Sequence, residues 1–437
     1  MAASFFEQKV ALEATFDLFV RRFPKNRSFF VAAGLEKAVH FLEHFSFTRQ
    51  EIDFLKQKGI FKDAFLDYLK EVRFTGSVYA LPEGTIFFPN EPLMRITAPI
   101  IEAQLVESYL LNTMNVATML CSKAARVVAA AKGRGVYDFS LRRTQGQDAG
   151  LAAARSSYIA GCFGTSNVLA GLQYGVPITG TMAHSFVMSF KTELESFRAY
   201  ASTFPDAATF LVDTYDYRKG VENAITVAKE LEAKGHKLRA IRLDSGDLAV
   251  ISRRARAMLD NASLAYVKIF ASGNLDEYKI EKLFKEGEKI DTFGVGTNMG
   301  VSSDAPYLDV IYKLSHIEDA KGNGNPVMKL SKDKVTYPGK KQVFRQYNKK
   351  GLYQKDILAL EGEKVEGKAL LIKVMENGIL TSPLPTLEKI RAFTESNLKA
   401  LPNKYKELYA QAQYPVALSK GLRQMIAQLT REIKSKG

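Results

Sequence analysis

The chain has 437 residues, 46% of them apolar and 25% charged, which suits an ordinary globular protein large enough for more than one core. No run approaches the roughly 18 apolar residues of a membrane span, the start at Met1-Ala2-Ala3-Ser4 lacks a secretory leader's features, and two cysteines cannot frame a disulfide scaffold or a zinc site. The net charge of +14 calls for an anionic partner, but the basic residues are scattered and not interleaved with aromatics, which favours phosphorylated small molecules over nucleic acid. A cytoplasmic protein without membrane attachment, with Cys121 and Cys162 as buried thiols, is expected.

Phe16 to Arg22 reads as a strand, and Gly34 to Phe45, with Leu35, Ala38, Val39, Leu42 and Phe45 at helical spacing, as an amphipathic helix. His40 and His44 lie one turn apart on it with no glutamate of the HExxH kind between them, so they read as a helix face. From Val72 to Ile100, glycines and prolines punctuate short β-rich pieces, as in a small sandwich or partial barrel. Ile101 to Ala131 is helical and alanine-rich, stopped by Gly133 and Gly135.

A βα alternation then begins. Val136 to Phe139 is its first strand, and Lys219 to Lys234 and Gly246 to Asn261 read as crossover helices. The alternation fades near Ile317, and Gly322-Asn323-Gly324-Asn325-Pro326 reads as a linker. Pro326 to Arg345 is β-rich again, and Thr386 to Lys436 is helical. The expected organisation is a small α/β-sandwich domain begun by residues 1–115, an irregular α/β barrel over 116–322, and a C-terminal part over 323–437 that packs with the small domain.

The strand-like runs stop on reactive polar residues, as in barrels whose active sites sit at the carboxyl ends of the strands. Val176-Pro177-Ile178 precedes Gly180 to Ser185, Phe210-Leu211-Val212 precedes Asp213-Thr214, and Ala240-Ile241 precedes Arg242 to Asp247. Val267 to Phe270 leads into Ser272-Gly273-Asn274, and Phe293 to Gly296 into Thr297-Asn298. His184 has Thr181 nearby and Asp213 at the next strand end to fix its tautomer, which makes it a base, a metal ligand or a nucleophile. No other histidine or cysteine is spaced to complete a zinc site. Asp244 could hold Mg²⁺ or accept from ribose hydroxyls, unless Asp244-Ser245-Gly246 is a plain helix cap. Arg242 forks onto a carboxylate or phosphate. The loops at Gly273-Asn274 and Gly296-Thr297 cradle a phosphate or form tight turns. Phe139 with Arg142 and Arg143 completes a pocket for a small aromatic anion beside a polyphosphate sugar and Mg²⁺.

At these residues the chain resembles the nicotinate phosphoribosyltransferases, nearly end to end. The stretches that carry the resemblance are Asp138 to Gly146, Ser166 to Gly171, Gly180 to Phe186, Leu211 to Tyr215, Arg242 to Leu248, and Pro326 to Leu330 with Thr336 to Gly339. The resemblance implies a type II phosphoribosyltransferase fold with a discontinuous small domain, working as a homodimer with shared active sites. It implies an ATP-dependent enzyme that makes nicotinate mononucleotide and pyrophosphate from nicotinate and phosphoribosyl pyrophosphate, for NAD synthesis.

By that resemblance His184 would be transiently phosphorylated by ATP and oriented by Asp213. Thr181, Arg242, Arg142, Asn167 and Phe139 would serve nicotinate. Asp244 would sit with Mg²⁺ and the ribose, and Ser245, Gly273, Asn274, Gly296 and Thr297 with phosphoribosyl pyrophosphate. The family's N-terminal tyrosine, which stacks on nicotinate in the partner's site, has no counterpart before Phe5 and Phe6; either upstream residues or another ring would supply it.

The nicotinamide-using relatives carry an aspartate where this chain has Asn167, and an amide that can donate to a carboxylate favours the acid. A quinolinate enzyme would want more cationic residues and no phosphorylatable histidine. A basic RNA-binding protein is the alternative from another class, marked by binding that falls steeply with salt.

Overall fold

The computed structural model describes residues 1–331, 336–409 and 412–436. The chain divides into two compact units, one of Leu120–Pro306 and one of Met1–Met119 with Tyr307–Gly437. Among the described residues no helix is long and apolar enough to cross a membrane. Cys121 and Cys162 are buried and joined in no disulfide.

The unit Leu120–Pro306 is built on six parallel strands, Gly135–Asp138, Gly164–Thr165, Thr209–Leu211, Ala240–Leu243, Lys268–Ala271 and Thr292–Val295. In space Gly164–Thr165 lies beside Gly135–Asp138, followed by the sixth, fifth, fourth and third strands in turn. That is a cyclic order broken once. A single bridge from Thr165 to Ile178 extends one end, and among the described residues nothing pairs it with Thr209–Leu211. The irregular barrel expected from the sequence is thus left open along one side. The expected strand Val176 to Ile178 contributes only this bridge, because Pro177 cannot donate to a ladder.

The strands read as continuous apolar runs because both faces are covered: Phe210, Ile241, Ile269 and Phe293 are buried on one face, and Leu211, Ala240 and Phe270 on the other. The crossover helices Tyr217–Ala233, Leu248–Asn261 and Glu277–Lys285 each start on an aspartate, Asp216, Asp247 and Asp276, whose side chain accepts a first-turn amide. Each such cap is worth about 1 kcal/mol and fixes the helix start just past a strand end. Val221, Ala224, Ala228 and Leu231 form the buried stripe of the first of these helices. Gly220 lets that helix close on the preceding strand, since a Cβ there would lie 2.0 Å from the Val212 carbonyl oxygen.

The split unit carries an antiparallel sheet in the spatial order Gly324–Pro326, Val310–Asp319, Leu12–Val20, Pro92–Pro99, Ser77–Ala80, Ile372–Glu376, Ile379–Leu380. A second sheet orders Lys368–Ala369, Lys341–Tyr347, Tyr353–Leu360 and Val416–Leu418, the last strand parallel to its neighbour. The helices Leu35–Glu43, Leu387–Ala400 and Lys420–Lys436 agree with the helical spacing, although Val416–Leu418 interrupts the tail expected to be helical throughout. Phe6 packs within this unit against Phe65 and Tyr68, at ring-centroid distances of 5.6 and 5.1 Å.

Two sequence expectations are corrected here. Val310–Asp319 pairs along Leu12–Val20, with Tyr312 opposite Leu18, so the barrel unit ends at Pro306 and not at 322. The stretch Gly322 to Pro326 is therefore a hairpin, not a linker: Asp319 accepts the amides of Lys321 and Asn323 at 2.8 and 2.9 Å, and Gly324–Pro326 turns back along the strand. Of the β-rich stretch Pro326 to Arg345, residues 332–335 lie outside the described residues.

Candidate active site

The parallel register decides which residues meet. Leu211 lies opposite Arg242, Arg242 opposite Phe270, and Val295 opposite Asp138, so the residues after these strands emerge at one rim. All the contacts that follow lie within the barrel unit.

Arg242 is the centre of the cluster. Its Nε donates to Ser272 Oγ at 2.8 Å, Nη1 to Thr181 Oγ1 at 2.8 Å, and Nη2 to Asp244 Oδ1 at 2.7 Å. Three partners from three loops fix the plane of the guanidinium. Its carbon lies 5.7 Å from the centre of the half-buried Phe139 ring, which meets Phe270 edge to face at 5.5 Å. A fixed cation beside an aromatic face suits a planar aromatic anion.

Asp244 shares its Oδ1 between Arg242 and the hydroxyl of Ser272, and its Oδ2 stands 3.8 Å from His184 Nε2. Burial pushes its carboxyl up, but the Ser272 hydrogen bond and the charges of Arg242 and His184 outweigh that and hold it below the ordinary range. The group is an anion at neutral pH.

His184 opens the short helix His184–Met188, and its Nδ1 lies 3.1 Å from Thr214 Oγ1. Its side chain keeps 41% of its surface exposed, enough to meet a substrate phosphate. The expected pairing with Asp213 is absent. Asp213 Oδ2 instead accepts the backbone N–H of Asp244 and the hydroxyl of Ser245, both at 2.8 Å. The physical reason is that the adjacent loop presents two donors to this carboxylate, while Thr214 already occupies the ring nitrogen. Asp213 Oδ1 is buried without a hydrogen-bond partner.

Asn167 is brought into the fold but not into contact with this cluster. It is buried and caps the helix Val168–Tyr174, its Oδ1 accepting from Ala170 N at 3.2 Å. Arg142 lies exposed on the 3-10 turn Leu141–Arg143 and makes no ion pair among the described residues. The first strand ends on Asp138, which accepts from Ser140 Oγ at 2.6 Å and Thr165 Oγ1 at 2.8 Å and so sets the course of the loop bearing Phe139 and Arg142. Burial raises the Asp138 carboxyl above its ordinary range, against the pull of those two hydroxyls.

The glycine-rich ends behave as close-approach loops. Gly273 adopts φ +100°, and a Cβ there would stand 2.0 Å from the Asp244 carbonyl oxygen, so this turn requires glycine. Gly296 passes over Phe139, whose carbonyl oxygen would lie 3.0 Å from an added Cβ. Asn298 Nδ2 donates to Asn274 Oδ1 at 3.1 Å and links the two loops, while Thr297 stands exposed at the start of a short helical turn.

Sequence reasoning missed four residues here. In the sequence Thr214 and Ser272 show only as hydroxyls at strand ends. Asp138 lies in a motif stretch that gives it no task of its own. Glu193, buried on the helix Glu193–Thr203, gave no local signal; its Oε2 accepts from Asn223 at 2.9 Å and its Oε1 has no hydrogen-bond partner. Burial raises the Glu193 carboxyl, with Asn223 opposing and the charges of Asp213 and Asp216 adding to it.

Among the described residues no three His, Cys, Asp or Glu gather to cage a metal ion. Asp244 Oδ2, with no protein donor at hydrogen-bond distance, is still an oxygen of the kind Mg²⁺ takes when most of its other ligands are substrate phosphates and water.

Comparison with known proteins agrees along the whole length. Residues 1–115, 135–354 and 364–426 match the sequence profiles of the nicotinate phosphoribosyltransferase N-terminal domain, the nicotinate phosphoribosyltransferase family and the nicotinate phosphoribosyltransferase C-terminal domain. The nicotinate phosphoribosyltransferase pncB2 of Mycobacterium tuberculosis is 47% identical over 421 residues, covering 96% of this chain and 89% of the relative. The nicotinate phosphoribosyltransferase of Bacillus subtilis is 38% identical, covering 97% and 91%. The crystal structure of human nicotinic acid phosphoribosyltransferase superposes with a TM-score of 0.86 at 30% identity, covering 98% of each chain. The fold is that of the type II phosphoribosyltransferases.

Proposed function

Because the chain belongs to the nicotinate phosphoribosyltransferase family, we propose that it joins nicotinate to phosphoribosyl pyrophosphate for NAD salvage, and that ATP hydrolysis is coupled to this through transient phosphorylation of His184. The observation that carries the reading is Arg242, a guanidinium fixed by Thr181, Ser272 and Asp244 beside the Phe139 ring.

Nicotinate would lay its ring against Phe139 and offer its carboxylate to Arg242, with the free Arg142 as a second cation. The pyridine nitrogen attacks the anomeric carbon, the bond to pyrophosphate breaks, and its electron pair leaves with the pyrophosphate. Positive charge developing on the ribosyl centre is offset by the Asp244 carboxylate, which its neighbours keep ionised. Mg²⁺, held by Asp244 and the substrate's phosphates, would neutralise the leaving group. Ser245 and the loops at Gly273-Asn274 and Gly296-Thr297 would hold the phosphates by close backbone approach.

In the coupled step a ring nitrogen of His184 attacks the γ-phosphorus of ATP and ADP departs; water later releases the phosphoryl group as phosphate. Thr214 keeps the ring in place for both transfers. The working form is taken to be the family's homodimer in the cytoplasm.

The test is turnover with nicotinate, phosphoribosyl pyrophosphate and Mg²⁺, with and without ATP. Nicotinate mononucleotide should form, with ATP raising its yield and ADP released alongside. Absence of product under both conditions would sink the proposal, and sedimentation as a monomer would remove the homodimer.

A further inference from the structure

We propose that Lys123 is a positioning residue that sets the distance between the two glycine-rich loops assigned to phosphoribosyl pyrophosphate; the inference rests on that assignment. Lys123 lies on the helix Glu107–Ala130 with its side chain 1% exposed. Its Nζ stands 2.6 Å from Glu277 Oε2 and 2.8 Å from Asp304 Oδ1. Glu277 begins the helix that follows Ser272-Gly273-Asn274, and Asp304 follows the turn that starts at Gly296-Thr297. One buried cation therefore holds the root of both loops.

The other ties differ in kind. Arg126, almost one turn further along the same helix, places Nε 3.1 Å from Glu277 Oε1, so Glu277 keeps a second cation; its Oε2 meets Lys123 as a charge contact without directed hydrogen-bond geometry. Nearer the tips the loops touch through Asn298, whose Nδ2 reaches Asn274 Oδ1 at 3.1 Å and Asp276 Oδ2 at 3.2 Å, the first of these contacts in solvent. Taking a lysine out of water is offset only if both carboxylates answer it, which makes the three-way contact exacting in geometry. Without Lys123, the link from Glu277 to Asp304 is cut while Glu277 still has Arg126. The loops would drift apart at the place where phosphates are gripped, while Arg242 keeps Thr181 and Asp244 as partners outside both loops.

The experiment is steady-state kinetics of Lys123→Met, Asp304→Asn and the double variant, with phosphoribosyl pyrophosphate and nicotinate varied separately and folding checked by thermal melting. The expected result is a rise of about tenfold in KM for phosphoribosyl pyrophosphate with the nicotinate KM changed by less than about twofold. Asp304→Asn should shift the same constant in the same direction and add little once Lys123 is gone. Equal shifts in both KM values, or an unchanged KM for phosphoribosyl pyrophosphate, overturn the proposal. If Lys123→Met does not fold, Asp304→Asn decides alone by the same criterion. A wild type that makes no nicotinate mononucleotide overturns the functional reading itself, whereas an active wild type with indifferent variants overturns only the role of Lys123.

Discussion

Asp213 Oδ2 accepts the backbone N–H of Asp244 at 2.8 Å, which makes one acidic residue the holder of another. The loop carrying Asp244 and Ser245 is thereby fixed to the end of the neighbouring strand. Asp213→Asn preserves an acceptor for the amide but removes the charge. It should lower synthesis with ATP and without ATP by the same factor, on the order of tenfold for a hydrogen bond to a charged group. Rates of nicotinate mononucleotide formation under the two conditions measure this. A loss confined to the ATP-stimulated rate would return Asp213 to the role of orienting His184.

His184 touches Thr214 on one side and faces Asp244 on the other. Replacing it with asparagine should abolish acid-labile labelling by γ-labelled ATP and leave uncoupled synthesis within about tenfold of wild type. Thr214→Val should slow labelling about tenfold, the value of one lost hydrogen bond. Undiminished labelling of His184→Asn would show that the phosphoryl group goes elsewhere.

Much of this site is written in short-range pattern. Apolar runs ending in Asp213-Thr214, Arg242 to Asp247 and Ser272-Gly273-Asn274 announce strand ends, and helical spacing announces the helices over Lys219 to Lys234 and Gly246 to Asn261. What could not be read is which strand-end residue faces which. Asp213 and His184 are near neighbours around the rim, yet the carboxylate took the two donors of the next loop, a choice set by the offset between strands. The sequence offers Asn167 as an amide donor to a carboxylate, and the fold commits its Oδ1 to a helix cap. The boundary at Pro306 was hidden for a different reason: Val310–Asp319 finds its partner in Leu12–Val20, about three hundred positions away, and no local signal reports a pairing of that span.

Glu91 offers a prediction about stability. It is fully buried in the split unit, with one oxygen accepting from Phe88 N at 2.9 Å and the other without a hydrogen-bond donor. Burial, and then the charge of Asp356, push its carboxyl well above the ordinary range despite the pull of Arg345. A group raised in the fold contributes its full stability below the unfolded carboxylate pKa of about 4.3 and loses it as pH rises through the folded value. Glu91→Gln keeps the shape without the titration. Melting temperatures of the two proteins should differ least near pH 4–5 and separate in the variant's favour toward pH 8, by roughly 2–4 °C per kcal/mol of penalty removed. A wild type that gains on the variant as pH rises would show that Glu91 is ionised in the fold.

Arg242 carries the last prediction, on the choice of base. Its three nitrogens are committed to Ser272, Thr181 and Asp244, so the guanidinium is aimed before any substrate arrives. Lysine in its place keeps the charge but offers one mobile ammonium that cannot hold three partners and a carboxylate together. For Arg242→Lys, kcat/KM for nicotinate should fall about a hundredfold, matching the roughly 2–3 kcal/mol expected of charge-assisted bonds lost from a half-buried fork. Nicotinamide brings no charge to such a fork, so its kcat/KM should fall far less than that for nicotinate, and the ratio of the two constants should narrow. Specificity constants for both bases, measured at saturating phosphoribosyl pyrophosphate, test this directly. If the two constants fell together, Arg242 would be holding Asp244 and Ser272 in shape without reading the carboxylate, and discrimination between acid and amide would have to be sought at Arg142.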